Sequence, residues 1–402
     1  MHHDTPLLTT LVLGLGLAYL FGMLAHRFKM PPLVGYLVAG IVVGPFTPGL
    51  MANQELATEL AEIGVILLMF GVGLHFSIKD LMSVKKIAIP GAVVQIAIAT
   101  LMGMGLSHLM GWPWGQGFVF GLALSVASTV VLLKALQKHD VEHTEQGRIA
   151  IGWLIVEDLA MVLALVLLPA MAGLLGGIGS NSSEGIGELV LLTLGKVIGF
   201  VAFMLIIGRR VIPWALEKTV WTGSRELFRL GVLAIALGVA YGASKLFGVS
   251  FALGAFFAGM VLAESEFSQR AAEESLPLRD AFSVLFFVSV GMLFDPSIII
   301  QHPFALVGTV LVIVIGKSLA AWGIVRAYGY NSSTASTIAA SLAQIGEFSF
   351  ILATLGMSLG LLNSDANALI IAGALISILL NPLLFSILLR KIPDTGTEPK
   401  TS

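Results

Sequence analysis

Residues 149–172 read IAIGWLIVEDLAMVLALVLLPAMA. The run is long enough to cross a bilayer, and its only charged side chains are the adjacent Glu157 and Asp158. At a rise of about 1.5 Å per residue, Asp158 sits roughly 14 Å along it, near the middle of a ~30 Å hydrocarbon core. A charged side chain at that depth costs on the order of 2.5–3.5 kcal/mol even on the lenient insertion scale. Helix packing requires no such pair. The stretch is therefore read as a transmembrane helix that carries an ion or proton site.

The rest of the chain agrees. It has 402 residues, 57% hydrophobic and 11% charged, with a mean hydropathy of +0.95. Soluble domains carry about 25% charged residues, so the expected class is an all-α polytopic membrane protein whose first partner is the lipid bilayer. There is no cysteine, which excludes disulfides and thiolate metal sites. The start, MHHDTPLLTT, lacks a basic region and a cleavage signal, so the first helix is expected to be retained. Nothing in the charge distribution points to nucleic acid.

Thirteen apolar segments are expected, at 7–25, 32–45, 56–76, 87–108, 116–137, 149–172, 186–208, 227–246, 250–264, 281–295, 303–325, 334–357 and 368–389. The longest pieces outside them are 173–185, 209–226, 265–280 and the tail after Arg390. Of the 22 Lys and Arg, 17 fall in the loops after odd-numbered segments or in the tail, and Lys134 and Arg229 lie within a turn of those loops. By the positive-inside rule the N-terminus is then outside and the C-terminus cytoplasmic.

The chain also repeats. Gly35-Tyr-Leu-Val-Ala-Gly40 resembles Gly254-Ala-Phe-Phe-Ala-Gly259, and Val72-Gly73 with Phe76 resembles Val290-Gly291 with Phe294. One offset lays segments 1–6 on 8–13. Since seven segments separate the partners, the two halves run in opposite directions. Inverted repeats of this kind are found in secondary transporters whose sites lie near the midplane at discontinuous helices.

Several polar groups fall at that depth. Lys317, in segment eleven, is about 15 Å from the cytoplasmic end and is expected to compensate Glu157 or Asp158. Segment five holds Ser125, Ser128 and Thr129; segment twelve holds Gln344, Gly346 and Glu347, at equivalent places in the repeat. A local unwinding there would expose hard oxygen ligands suited to Na⁺ or K⁺. For Ser125 the plainer reading is a hydroxyl bonded back to its own helix. Lys196, a lone cation in segment seven, is expected to snorkel toward a headgroup. His2, His3, His139 and His143 are expected in solvent, with His75 and His108 at segment ends. Gly14-Leu-Gly16 with Gly22 sits inside an apolar helix and so suits helix packing rather than a dinucleotide loop. No His, Asp and Glu spacing suggests a catalytic metal or an enzyme.

Taken together, these features resemble the second family of monovalent cation:proton antiporters, closest to the Kef-type potassium efflux systems. Supporting stretches are Pro32-Leu-Val-Gly-Tyr-Leu-Val-Ala-Gly40, Leu67-Leu-Met-Phe-Gly-Val-Gly-Leu74, Ala258-Gly-Met-Val-Leu-Ala-Glu-Ser265 and Phe286-Phe-Val-Ser-Val-Gly-Met292. The resemblance implies a sodium/proton-antiporter-like fold of 13 helices in which discontinuous helices 5 and 12 cross. It divides the chain into scaffold and dimerisation helices 1–3 with core helix 4 (1–108), core helices 5 and 6 (109–175), linker helix 7 (176–226), scaffold helices 8–10 (227–300) and core helices 11–13 (301–390). A cytoplasmic linker (391–402) would lead to a nucleotide-binding regulatory domain. It also implies a homodimer in a bacterial inner membrane, an elevator mechanism, Asp158 as the ion- and proton-binding acid, and an acidic regulatory loop carrying Glu264, Glu266, Glu273 and Glu274. The chain departs from the pattern at Glu157, where relatives carry Gln, Asp or Asn, and at Ser275-Leu-Pro-Leu-Arg279, where gated members keep an acidic motif.

The expected activity is exchange of a monovalent cation, K⁺ ahead of Na⁺, for protons, with no cofactor in this chain and nucleotide only through such a regulatory domain. The alternatives are a ligand-gated potassium channel on the same scaffold and a sodium-coupled symporter for an organic anion.

Overall fold

The computed structural model describes residues 6–48, 52–74, 78–141, 144–178 and 186–390. His2, His3, His75, Phe76, His143 and the linker 391–402 lie outside the described residues. The described chain is helical throughout: α1 Pro6–Arg27, α2 Pro32–Val43, α3 Gln54–Leu74, α4 Ile78–Leu109, α5 Trp114–Leu124, α6 Thr129–Lys138, α7 Glu145–Met171, α8 Ile186–Phe203, α9 Arg209–Trp221, α10 Arg225–Gly242, α11 Phe251–Ala263, α12 Ser268–Met292, α13 Ile298–Gln301, α14 Pro303–Leu311, α15 Lys317–Ala327, α16 Ser332–Leu342, α17 Glu347–Ser358 and α18 Ser364–Arg390. Single π-helical turns join α8 to α9 and α14 to α15, and another extends α10.

Among the described residues, ten helices are long and apolar enough to cross a membrane, or eleven when the bent pair α16–α17 is one span. The helices on segments two and nine, α2 and α11, fall short of that measure at 12 and 13 residues. The chain is thus an integral membrane protein of ten or eleven such spans, and the expected figure of thirteen is not reached by length and composition.

Local chemistry sets the helix starts. Ser224 accepts from the Leu227 amide at 3.3 Å, Ser250 from Leu253 at 3.3 Å and Asn331 from Thr334 at 2.8 Å. Each satisfies one amide that the first turn leaves without a partner.

The chain forms two compact units. Among the described residues, those within 6–79, 159–301 and 350–371 make one, and those within 80–158, 302–349 and 372–390 make the other. In the first unit α3 packs on α11 and α12, and α2 on α1 and α12. Glycine permits the closest approach. A Cβ at Gly73 would lie 2.2 Å from the Phe256 carbonyl oxygen, and one at Gly259 would lie 2.1 Å from that of Phe70. The α3–α11 seam is therefore backbone against backbone, as small residues allow between membrane helices.

Three expectations change here. Residues 209–221, expected outside the membrane segments, are helix and fall within the candidate span Gly195–Trp221. The acidic stretch is not an open loop: Glu273 and Glu274 lie on α12, Glu264 pairs with Arg209 at 3.1 Å, and Glu274 bonds Arg229. Charge pairing and an early α12 start order a segment whose polarity reads as a loop. His139 is half-buried, its ring stacked on Phe385 at 5.4 Å, and its burial holds its pKa below the ordinary imidazole value.

Candidate functional site

The second unit contains the expected break. Segment five runs as helix to Leu124, opens over Ser125–Ser128 and resumes at Thr129; segment twelve opens between Leu342 and Glu347. The two breaks touch. The Ser128 amide donates to Gln344 Oε1 at 2.9 Å, and Gln344 Nε2 donates to the Ser128 carbonyl at 3.1 Å. Ser128 Oγ donates to Glu347 Oε2 at 2.8 Å. Positions that the repeat makes equivalent therefore meet, and segments five (α5–α6) and twelve (α16–α17) cross as discontinuous helices.

A break creates two helix ends, each carrying about half a charge and freed backbone groups. Inside a membrane those groups need protein partners. The Ala127 amide, at the start of α6, donates to Glu157 Oε2 at 2.8 Å. At the end of α16, Lys317 Nζ donates to the Gln344 carbonyl at 3.1 Å, Asn381 Nδ2 to that of Ala340 at 2.8 Å, and Ser318 Oγ to that of Ala339 at 3.1 Å. At the end of α5, Gln95 Nε2 donates to the Ser125 carbonyl at 3.0 Å, and Ser125 Oγ bonds back to Leu122 at 2.7 Å. Each end thus meets a group of opposite sign or a neutral dipole.

This arrangement corrects the expected pairing of Lys317. Neither Glu157 nor Asp158 lies within ion-pairing distance of its ammonium; the ion pairs among the described residues are Arg209–Glu264, Arg229–Glu274 and Arg279–Asp280. Lys317 caps a carbonyl, and Glu157 caps an amide on the other broken helix. Matching depth puts two groups in one layer of the membrane, but the direction each faces around its helix decides whether they touch.

Asp158 is 6% exposed. Its Oδ2 accepts from Thr129 Oγ1 at 3.2 Å, while its buried Oδ1 has no hydrogen-bond partner. Glu347, 2% exposed, is near enough for its charge to act on Asp158. The acids do not converge as a multidentate metal site among the described residues. Two under-bonded carboxylates stand beside the polarised break, Asp158 and Glu157, whose Oε1 is likewise buried without a partner, and this suits a singly charged cation or a proton.

Of the expected site residues, Ser128, Thr129, Glu157, Asp158, Lys317, Gln344 and Glu347 come together here. Ser125 joins them through its carbonyl rather than its hydroxyl. Lys196 is exposed on α8, in the other unit. Gln95 and Asn381 were not singled out in the sequence. Gln95 is the lone amide of α4 and Asn381 one of two in α18, and only the position of a broken helix end gives either its meaning.

Replacing Lys317 by Met keeps its length but leaves the Gln344 carbonyl without its ammonium donor. The expected cost is about 1–3 kcal/mol, read as a lower midpoint of thermal unfolding in detergent. An unchanged midpoint would show that the carbonyl finds another donor.

Comparison with known proteins identifies the family and the fold. A transmembrane sodium/hydrogen exchanger family model aligns with residues 13–391. The chain is 61% identical over 400 residues to YbaL of Escherichia coli (strain K12), named for cation/proton antiport, covering 99% of this chain and 71% of that one. It is 32% identical to K(+) efflux antiporter 4 of Arabidopsis thaliana, covering 98% of this chain and 68% of the relative. The sodium proton antiporter MjNhaP1 of Methanocaldococcus jannaschii shares the fold at a TM-score of 0.72 and 18% identity, over 96% of this chain and 98% of that one. The chain belongs to the transmembrane sodium/hydrogen exchanger family, whose members exchange cations for protons.

Proposed function

We propose that this chain exchanges K⁺, ahead of Na⁺, for H⁺, with both competing for Asp158. One observation carries the reading: a nearly buried carboxylate in a transmembrane helix with one oxygen held by Thr129 and the other unpartnered. An ionised carboxylate in that state binds either a proton or a dehydrated cation, because each alone removes the cost of a buried charge. Occupancy by one excludes the other, which is the coupling an exchanger needs. Similarity to a potassium efflux antiporter over nearly the whole chain favours K⁺.

Glu157, Ser128, Thr129, Gln344 and Glu347 shape the site, and Lys317 balances the broken end of α16. Alternating access is of the elevator type, in a homodimer of the bacterial inner membrane with the N-terminus outside. The acidic stretch Glu264, Glu266, Glu273 and Glu274 serves regulation, together with a nucleotide-binding regulatory domain.

Proteoliposomes under an imposed pH gradient test this. Adding K⁺ or Rb⁺ outside is expected to collapse the gradient, with Na⁺ and Li⁺ less effective. A potassium current that reverses at the potassium potential and ignores the pH gradient would replace exchange with a channel.

A further inference from the structure

The crossing has two C-terminal helix ends, at Ser125 and at Gln344, and the repeat makes these positions equivalent. Each end carbonyl is held by a side chain from another helix: Ser125 by Gln95 of α4, Gln344 by Lys317 of α15. The two donors do the same task, but they differ in what remains. An ammonium has three donors and no acceptor, while a primary amide also carries a carbonyl oxygen. Gln95 is fully buried, and its Oε1 has no hydrogen-bond partner.

That asymmetry bears on where a cation can rest. At Gln344 a full positive charge already meets the partial negative charge of the helix end. At Ser125 the cap is neutral, so about half a negative charge stays uncompensated. Around this second break, Gln95 meets residue 125, Glu157 meets residue 127 and Asp158 meets residue 129. Gln95 and Glu157 each lie four residues, about one turn, beyond the Gly91–Trp153 contact, where a Cβ on Gly91 would come within 2.4 Å of the indole. Gln95 Oε1, Glu157 Oε1 and Asp158 Oδ1 are thus buried acceptors without donors, on three side chains that all bond the stretch 125–129. A buried acceptor left bare is destabilising, and a dehydrated cation offsets that for each oxygen it touches.

We infer that Gln95 is a cation-binding residue: the transported ion rests on the Ser125 side of the crossing, with Gln95 Oε1 as its neutral ligand and Asp158 Oδ1 as its charged one. This rests on Asp158 being the exchange site. A neutral carbonyl oxygen lowers the charge density of the ligand set, which favours a large, weakly hydrated ion over a small one. Gln95 therefore contributes to selectivity as well as affinity.

The test compares the full chain with Gln95→Leu and Gln95→Glu, in proteoliposome flux and in thermal unfolding with K⁺ or choline chloride. In Gln95→Leu the apparent KM for K⁺ is expected to rise about tenfold or more, as loss of one good ligand implies, with kcat at saturating K⁺ changing less. K⁺ should stabilise the wild type against unfolding, fail to stabilise Gln95→Leu, and still stabilise Gln95→Glu, which keeps an oxygen. A KM for K⁺ that is unchanged in Gln95→Leu overturns the inference. Equal loss of K⁺ stabilisation in both variants also overturns it, because the amide would then act only as a cap. If Gln95→Leu fails to fold, Gln95→Glu alone decides through its K⁺ stabilisation. A wild type stabilised by K⁺ but showing no cation-dependent proton flux would defeat the exchange reading instead and leave the ligand assignment to the unfolding data.

Discussion

Asp158→Asn is expected to reduce cation-dependent proton flux by at least about 100-fold, equivalent to roughly 2.7 kcal/mol or more at the rate-limiting barrier. The substitution keeps the shape of the side chain and an oxygen for Thr129 Oγ1. It removes the charge that attracts a cation and the group that takes up a proton. Glu157 and Glu347 are tied to the crossing itself, through the Ala127 amide and the Ser128 hydroxyl, and are not expected to take over its role. Folding should survive, because trading a buried carboxylate for a neutral amide relieves desolvation and often stabilises. The check is flux in vesicles beside thermal unfolding in detergent. Retained flux in Asp158→Asn would move the site to another acid.

Gly346→Ala should damage the same function by another route. A Cβ there would lie 2.2 Å from Ser128 Cβ and 2.7 Å from its Cα, so backbone must move. Ser128 gives its amide, carbonyl and hydroxyl to the crossing. Overpacking costs about 1–3 kcal/mol, and each hydrogen bond lost adds about 1 kcal/mol. The expected result is a lower unfolding midpoint together with loss of most flux. Gly105→Ala is the control: nothing lies within 4 Å of its Cβ, and alanine is the better helix former by about 0.5–1 kcal/mol. A Gly346→Ala protein with the stability and flux of wild type would mean that the crossing is looser than this geometry.

The spans and the crossing were legible because each leaves a mark on composition. Length and apolarity identify a span, and Ser125, Ser128, Gln344 and Glu347 stand out against apolar neighbours at equivalent repeat positions. The partners of Lys317 and Glu157 were not legible. Counting residues gives depth along a helix, whereas the broken ends supply backbone groups that have no letter in the sequence. Gln95 was hidden for the same reason, as its partner is the carbonyl of Ser125 rather than a side chain. The acidic stretch misled because polarity marks exposure and not the absence of helix.

The interlocked glycines of α3 and α11 have a mechanical meaning. Each occupies the one notch in which a carbonyl of the facing helix can lie, Phe256 against Gly73 and Phe70 against Gly259. A shift along the seam takes each carbonyl off its glycine and toward the Cβ-bearing residues one turn away on the same face, Met69 and Phe70 beside Gly73 and Ala255 and Phe256 beside Gly259. The seam therefore has no small displacement open to it and behaves as a detent. Whatever work the first unit does, α3 and α11 do it as one stiff piece, and any flexing falls on joints elsewhere.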